Sequence, residues 1–163
     1  MSCSSTISGH RMASVGPVIE VVELAAVDTH PLRRALLRQD TPDDRVEFDG
    51  DELPTTSHLG GTIDGELVTI STWMQRRYPD LPTHAAHQLR GMATLPPARG
   101  SGVSARVLDE GLRRCTSAGS TVVWARARVT ALAFYERHGF ETRGEEYVDL
   151  TTGLPHRDIT RFL

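Results

Sequence analysis

A glycine-rich loop between a short apolar run and an amphipathic helix limits most strongly how this chain can fold. The loop carries Pro96 and Pro97, then Arg99, Gly100 and Gly102. The prolines end a β-strand because they cannot donate to a sheet ladder. The glycines leave backbone N–H groups exposed at a helix N-terminus, where the helix dipole also favours an anion. The loop therefore predicts a cradle for the phosphate of a cofactor.

Two common phosphate-binding motifs fit this loop poorly. The dinucleotide fingerprint G-x-G-x-x-G/A needs a glycine directly at the strand end and an acid on the next strand. Here prolines separate the strand from the glycines, and residues 121–125 carry no acid. No Lys-Ser/Thr pair follows the glycines, which excludes a nucleoside triphosphate loop. A helix-capping loop with incidental glycines remains an alternative at this point.

The global composition narrows the setting of the protein. We expect residues 1–16 to form a disordered N-terminal tail and residues 17–163 to form a single domain. The formal charge of −3 gives no basic surface for nucleic acid or for an anionic membrane. The two cysteines make neither a disulfide framework nor a metal cluster, and no apolar run has membrane-spanning length. A cytoplasmic protein is expected.

The hydrophobic pattern predicts the element order strand, helix, hairpin, strand, helix, strand, helix, hairpin. Asp64 and Gly65 are typical of a type I′ turn and join the two strands of the first hairpin. Residues 28–31 are expected to cap the first helix, whose Arg33 should face water. This order predicts an α+β fold, a mixed sheet with helices on both faces. The predicted strands are residues 18–27, 58–63, 66–74, 87–95, 121–125, 142–150 and 156–162, and the later helices are residues 101–115 and 130–138.

A second landmark lies downstream, in residues 131–140, where Phe134 and Tyr135 precede Gly139 and Phe140. Together with the glycine-rich loop, and at this separation, it resembles the GCN5-related N-acetyltransferase (GNAT) family over residues 87–141. The loop of that family reads Arg/Gln-x-x-Gly-x-Gly/Ala, which aligns Arg99, Gly102 and Ser104. Ser104 departs from the pattern because it has a Cβ where glycine is usual.

The resemblance implies a GNAT-like central sheet that is mixed and mostly antiparallel, and it implies acetyl-CoA as the cofactor. Backbone amides of the loop would receive the pyrophosphate, and the strand before it would part from its neighbour and pair with the pantetheine arm. A backbone N–H on that strand would also stabilise the oxyanion of the reacting thioester. The implied cofactor-binding residues are Met92, Ala93, Thr94, Arg99, Gly100, Ser101, Gly102, Val103, Ser104, Ala105 and Arg128, the last where many members carry asparagine.

Tyr135 is the side chain that the resemblance implies for proton chemistry. A phenol held against the sulfur can donate a proton as thiolate charge develops. The alternative is an aromatic helix residue that packs beside Phe134 and Phe140. The expected reaction is direct acetyl transfer to a primary amine of a small molecule or peptide, with no metal and no covalent enzyme intermediate.

The general base, the acceptor and the oligomeric state stay open. Strands 89–95 and 122–125 carry no glutamate, so the base is a histidine, an acid near the first strand, or water. The acidic loop of residues 40–52 could draw a cationic amine, and the C-terminal hairpin could pair into a homodimer. A catalytically degenerate acyl-CoA-binding module is the alternative to an enzyme. Candidate bases are His58, His84, His87, Glu23 and Asp28, and candidate acceptor-pocket residues are Trp73, Met74 and Tyr78.

Overall fold

A computed structural model describes residues 15–163, and within them seven strands form one sheet. Most of the expected tail thus lies outside the described residues. The strands are β1 (Ile19–Leu24), β2 (Thr56–Ile63), β3 (Glu66–Gln75), β4 (Ala86–Thr94), β5 (Val122–Arg128), β6 (Glu141–Val148) and β7 (Pro155–Phe162). The α-helices are α1 (Ala26–Leu37), α2 (Val103–Ser117) and α3 (Leu132–Arg137), and two short 3₁₀ turns cover Pro96–Ala98 and Val129–Ala131.

The strand order across the sheet is β1-β2-β3-β4-β5-β7-β6. Each neighbouring pair is antiparallel except β4 and β5, which run parallel. The predicted mixed, mostly antiparallel sheet is therefore confirmed. The β2–β3 turn also matches its signal, since Asp64 and Gly65 have φ of 50° and 83°, the two positive values of a type I′ turn.

The main core lies between the sheet and helix α2. Val107, Leu108 and Leu112 of α2 pack with Trp73 of β3 and Leu89 of β4. The helix can approach closely because residue 111 is glycine, where a Cβ would lie 1.9 Å from Trp73 Cζ2. Tyr135 and Phe140 belong to the same core, so α3 covers the same face as α2.

Helix α1 covers the opposite face and corrects two sequence expectations. It begins at Ala26, earlier than expected, and Asp28 stabilises this start by accepting the Ala25 N–H at 2.9 Å. Pro31 is the sixth of the twelve residues of α1, where its missing N–H removes one hydrogen bond of the helix. The expectation that Arg33 faces water is wrong, because its side chain is fully buried.

Arg33 is buried because the loop after α1 supplies its partners. Its guanidinium donates to Asp51 Oδ1 at 3.1 Å, to Thr72 Oγ1 at 2.8 Å and to the Val46 carbonyl at 2.7 Å. A charged group is stable in an interior only when it is paired and hydrogen-bonded in this way. The network holds α1 and its following loop against β3.

Strands β4 and β5 separate after only three paired positions. The last pair joins Gln88 to Trp124, and from there each strand follows its other neighbour. β4 stays paired with β3 as far as Thr94, whereas β5 stays paired with β7 as far as Arg128. The register between β3 and β4 also shifts next to Gly91, whose φ is +56°. The result is a gap in the sheet that widens away from Gln88.

Candidate active site

Two adjoining cavities open at the gap between β4 and β5. The larger, of about 280 Å³, lies on the α1 face and includes Phe48 and Gln88 in its lining. The smaller, of about 160 Å³, reaches through the gap to Tyr135 of α3. Arg90, Arg126 and His156 line both cavities. A molecule held on the α1 face can thus meet one held on the α2 and α3 face.

The glycine-rich loop leads directly into helix α2. Gly100 and Gly102 have φ of +81° and +89°, a region that other residues rarely adopt. A Cβ on either glycine would meet no atom within 4 Å, so the space beside the loop is open. Ser101 braces the turn, since its hydroxyl donates to the Ala98 carbonyl at 2.6 Å and accepts from the Val103 N–H at 3.3 Å.

This turn leaves backbone donors free at the positive end of α2. The N–H groups of Gly102, Ser104 and Ala105 bond to no acceptor within residues 15–163. Helix α2 is 15 residues long, and its dipole adds to these donors at the N-terminus. The arrangement suits a diphosphate, which fits the predicted cradle and the CoA cofactor.

Ser104, the departure from the family pattern, has a structural explanation. Its hydroxyl lies 2.6 Å from Thr94 Oγ1, which in turn lies 2.9 Å from Thr69 Oγ1. The side chain therefore points to the sheet and ties the first turn of α2 to the end of β4, and it does not point into the cradle. The Arg99 guanidinium also folds back, and its Nε lies 3.4 Å from the Thr94 carbonyl oxygen.

The edge of β4 that faces β5 is unpaired along residues 89–94. Met92, Ala93 and Thr94 lie beyond the last β4–β5 pair; Ala93 and Thr94 still pair with β3, whereas Met92 lies in the irregularity between Arg90 and Ala93. Unpaired strand edges accept an added strand, because their N–H and C=O groups have no other partner. The geometry is that expected for pairing with a pantetheine arm.

Tyr135 lines the smaller cavity and is 7% exposed. Its ring packs between Phe134 and Phe140, at centroid distances of 5.3 and 5.4 Å. Burial raises the pKa of its hydroxyl well above the ordinary value, so the phenol stays neutral and can donate a hydrogen bond. Tyr135 therefore packs in the aromatic core and also lies beside the gap.

Arg128 also lines the smaller cavity and connects strand β5 to helix α1. Its guanidinium donates to the Leu37 carbonyl at 3.0 Å, which ties the end of β5 to the end of α1. Burial lowers the pKa of Arg128, with a smaller contribution from the charge of Arg38. A half-buried guanidinium at this point places positive charge beside the gap.

The comparisons with known proteins agree with this geometry. The family model for the acetyltransferase (GNAT) domain matches residues 65–156, more than half of the chain. The chain belongs to the GNAT family of acetyltransferases and is an acyltransferase.

Individual relatives support the same assignment. YitI of Bacillus subtilis (strain 168), described as an uncharacterized N-acetyltransferase, is 27% identical over 130 residues, which cover 80% of this chain and 87% of YitI. Two solved structures share the fold. Escherichia coli ElaA has a TM-score of 0.68 and 23% identity, over 88% of this chain and 99% of ElaA. FeeM, an N-acyl amino acid synthase from uncultured soil microbes, has a TM-score of 0.72 and 13% identity, over 90% of this chain and 91% of FeeM.

In this GNAT domain, the bases suggested by the sequence lie away from the gap. Neither cavity includes any of them in its lining. His58 is buried between Thr72 and the Asp51 carbonyl, and His87 is buried against Ser120. The other three are engaged elsewhere: His84 with Thr121, Asp28 with the Ala25 N–H and Glu23 with Arg114.

The suggested acceptor-pocket residues also belong to the core. Trp73 lies beneath α2 and is 1% exposed, and Tyr78 packs on Trp124 with ring centroids 5.1 Å apart. Met74 is buried as well. Packing therefore accounts for all three side chains.

His156 is the histidine that does line both cavities, and the sequence patterns did not single it out. Its Nδ1 lies 2.9 Å from the Leu154 carbonyl oxygen, which can only accept a hydrogen bond. Nδ1 must therefore carry the hydrogen, and in the neutral ring Nε2 keeps a lone pair. The ring stacks on Tyr147, with centroids 6.2 Å apart. Its role depends on the register that sets His156 beside Arg128, which a sequence does not reveal.

Two further observations bound the chemistry of the described residues. Within residues 15–163, no group of three or more His, Cys, Asp or Glu side chains is placed to hold a metal ion. No helix in the described part of the chain has the length and apolar content needed to cross a membrane.

Proposed function

We propose that this chain is a cytoplasmic, acetyl-CoA-dependent N-acetyltransferase that transfers the acetyl group directly to a primary amine of a small molecule. One observation carries the proposal. Strands β4 and β5 separate after Gln88 and Trp124, and the cavity on the α1 face adjoins one that reaches through this gap to Tyr135 of α3. Two substrates can therefore approach from opposite faces and meet in the gap. The buried, free Cys115 supports a reducing location.

The cofactor residues follow from the geometry of the α2 face. The free amides of Gly102, Ser104 and Ala105 bind the pyrophosphate, and the unpaired edge of residues 92–94 holds the pantetheine arm. Acetyl-CoA, when bound, supplies an activated acyl carbon and a thiolate leaving group. A backbone N–H of the same edge hydrogen-bonds the thioester oxygen and stabilises its developing negative charge.

Proton transfer is divided between the two faces. On the α1 face, His156 Nε2 accepts the proton that the amine loses as its nitrogen bonds to the acyl carbon. Arg128 of β5 and Tyr147 of β6 are the cross-strand neighbours of this ring, and Arg38, Arg90, Arg126 and Thr152 line both cavities with it. On the other face, the neutral Tyr135 hydroxyl donates its proton to the sulfur as the carbon–sulfur bond breaks. Each residue then exchanges its proton with water.

The test is turnover with acetyl-CoA and a panel of primary amines. We expect the release of free CoA thiol to match the formation of acetylated amine, measured by a thiol reagent and by mass spectrometry. CoA binding by calorimetry without any amine-dependent thiol release would overturn the proposal and assign a binding module. Thiol release without an acetylated product would show hydrolysis and would also contradict it.

A further inference from the structure

Arginine side chains dominate the α1 side of the gap. Those lining the larger cavity are Arg38, Arg45, Arg76, Arg90 and Arg126. Arg45 is held by Asp43, whose two carboxylate oxygens accept from the guanidinium at 2.9 to 3.2 Å. Within residues 15–163, the other four arginines make no ion pair with a carboxylate. Five arginines and four acids, Asp43, Glu47, Asp49 and Asp149, line this cavity, so its guanidinium groups slightly outnumber its carboxylates, and four of them have no direct carboxylate partner in the described part of the chain.

Arg90 and Arg126 occupy matching places on the two separating strands. Gln88 and Trp124 form the last β4–β5 pair. Side chains two residues apart on a strand share a face, so Arg90 and Arg126 are the first such pair beyond the point of separation. The β4 irregularity follows Arg90, which is still in register with Thr72, and does not change this placement. The two guanidinium groups therefore flank the entrance to the gap.

Arg90 is partly withdrawn from water without a carboxylate partner. Its Nη1 donates to the Asp49 carbonyl at 2.9 Å, and its guanidinium carbon lies 5.0 Å from the centroid of the Phe48 ring. Arg38 also lies 5.0 Å from that ring. Burial lowers the pKa of Arg90, which reports the cost of keeping its charge there. An anionic ligand offsets this cost, because it pairs with the charge and fills the remaining N–H donors.

Two carboxylates near the arginines also accept hydrogen bonds from neutral groups. Asp149 Oδ1 accepts the Thr152 N–H at 3.0 Å and closes the β6–β7 turn. Asp158, the cross-strand neighbour of Arg126, accepts the Tyr147 hydroxyl at 2.7 Å. The remaining acids of the larger cavity lie exposed on the loop after α1: Glu47 and Asp49.

Gln88 adds an independent requirement at the floor of the same cavity. Its side chain is 4% exposed, and its Oε1 has no hydrogen-bond partner among the described residues. A buried amide oxygen without a donor is unfavourable, so a ligand that offers an N–H at this point is stabilised. The arginines and Gln88 together favour a ligand that has an N–H group at one end and an anionic group beside it.

We propose that the acceptor is an amine that carries a carboxylate, such as a free amino acid, bound by Arg90 and Arg126 with its nitrogen toward Gln88 and the gap. A cavity of about 280 Å³ suits a molecule of that size. The proposal rests on the proposed function, since it names the acceptor of the same transfer. It differs from the expectation that the acidic loop draws a cationic amine, which stays a prediction: Asp43 and Asp51 of that loop pair with arginines, whereas Glu47 and Asp49 lie exposed at the cavity.

The first experiment compares related acceptors with and without the carboxylate. For several side chains, kcat/KM is measured for the L-amino acid, its methyl ester and the decarboxylated amine, each with saturating acetyl-CoA and corrected for the fraction of free-base amine. We expect the amino acid to exceed both analogues that lack the carboxylate by roughly 10-fold or more, the loss of one charge-assisted pair. Equal or better rates with these two analogues would overturn the proposal. The aminophosphonate with the same side chain tests which anion is preferred. A higher kcat/KM for the phosphonate than for the amino acid would contradict the proposal that the acceptor carries a carboxylate.

The second experiment removes the arginines. Arg126→Gln affects an exposed side chain with no hydrogen bond to the described protein, so the fold should persist. We expect KM for the amino acid to rise roughly 10-fold while KM for the decarboxylated amine and for acetyl-CoA stays constant. Arg90→Gln should act in the same direction. Arg34→Gln is the control, since Arg34 is exposed on α1 and lies outside both cavities.

The possible results distinguish a failure of this inference from a failure of the proposed function. Unchanged acceptor preference in both Arg90→Gln and Arg126→Gln would refute the arginine assignment. An increase in KM for acetyl-CoA instead would place these arginines on the cofactor and would also refute it. Turnover of decarboxylated amines alone refutes this inference and leaves the proposed function standing, whereas no turnover of any amine refutes the proposed function itself.

Discussion

At the scale of single residues, the site depends on two side chains whose surroundings differ. Tyr135 is enclosed by aromatic rings, and this burial keeps its phenol protonated. His156 is oriented by one backbone carbonyl, which leaves Nε2 available in the neutral ring. These surroundings support the roles that we propose, Tyr135 as proton donor and His156 as proton acceptor.

Replacing Tyr135 by phenylalanine should lower kcat roughly 100-fold, because the variant keeps the packing and loses the proton donor. KM for acetyl-CoA should stay near the wild-type value. Steady-state kinetics and thermal denaturation measure the two effects separately. Tyr78→Phe is the control, since Tyr78 lies outside both cavities and should keep full turnover. Wild-type kcat in Tyr135→Phe would remove the acid assignment.

His156→Gln should lower kcat/KM for the amine at least 10-fold, because glutamine keeps a hydrogen bond to the Leu154 carbonyl but has no basic nitrogen to accept the amine proton. KM for acetyl-CoA should stay near the wild-type value. Steady-state kinetics with both substrates measure the two effects. A wild-type kcat/KM in His156→Gln would assign the base to another group.

At the scale of elements, the two ends of helix α2 look alike but serve different purposes. Gly102 precedes the helix with φ of +89°, and Gly119 follows it with φ of +86°. A Cβ on either residue would meet nothing within 4 Å. Only Gly102 lies beside the free amides of the cradle.

Gly102→Ala and Gly119→Ala should therefore cost similar stability, about 1 kcal/mol each, because alanine is strained at positive φ. Only Gly102→Ala should weaken CoA binding, by roughly 10-fold or more, since relief of the strain displaces the amides. Chemical denaturation gives the free energies of unfolding and calorimetry gives Kd for CoA. Equal CoA affinity in the two variants would argue against the cradle.

At the scale of the whole molecule, the Arg33–Asp51 pair fixes α1 and its loop over the sheet and so shapes the α1-face cavity. Burial raises the pKa of Asp51, but the hydrogen bonds from Arg33 and the Phe48 N–H outweigh it and hold the pKa below its ordinary value. A carboxylate with a depressed folded-state pKa stabilises the fold at neutral pH. This contribution is lost as pH falls from about 4, the ordinary value for aspartate, through the lower folded value.

Asp51→Asn should consequently lose about 3 kcal/mol of stability at pH 7, because it leaves a buried arginine without its counter-charge. The difference between wild type and variant should shrink as the pH falls below about 4. Denaturant titrations at several pH values provide the check. A stability difference that stays constant down to pH 2 would contradict the role of this ion pair.

The homodimer expected through the C-terminal hairpin stays a prediction, with β6 at one edge of the sheet.

The local features of this protein could be predicted from its sequence because they follow from short-range chemistry. Glycines at positive φ, prolines after a strand and the Asp64–Gly65 turn act over a few residues, so the cradle, the hairpin and the element order were predictable. Tertiary structure alone decided which distant side chains share a site. The burial of Arg33 required Asp51 from another segment, and the entry of His156 into the gap required the β5–β7 register. A periodic pattern records the polarity of a residue but not its partner, and the partner determines whether an arginine is buried or a histidine can accept a proton.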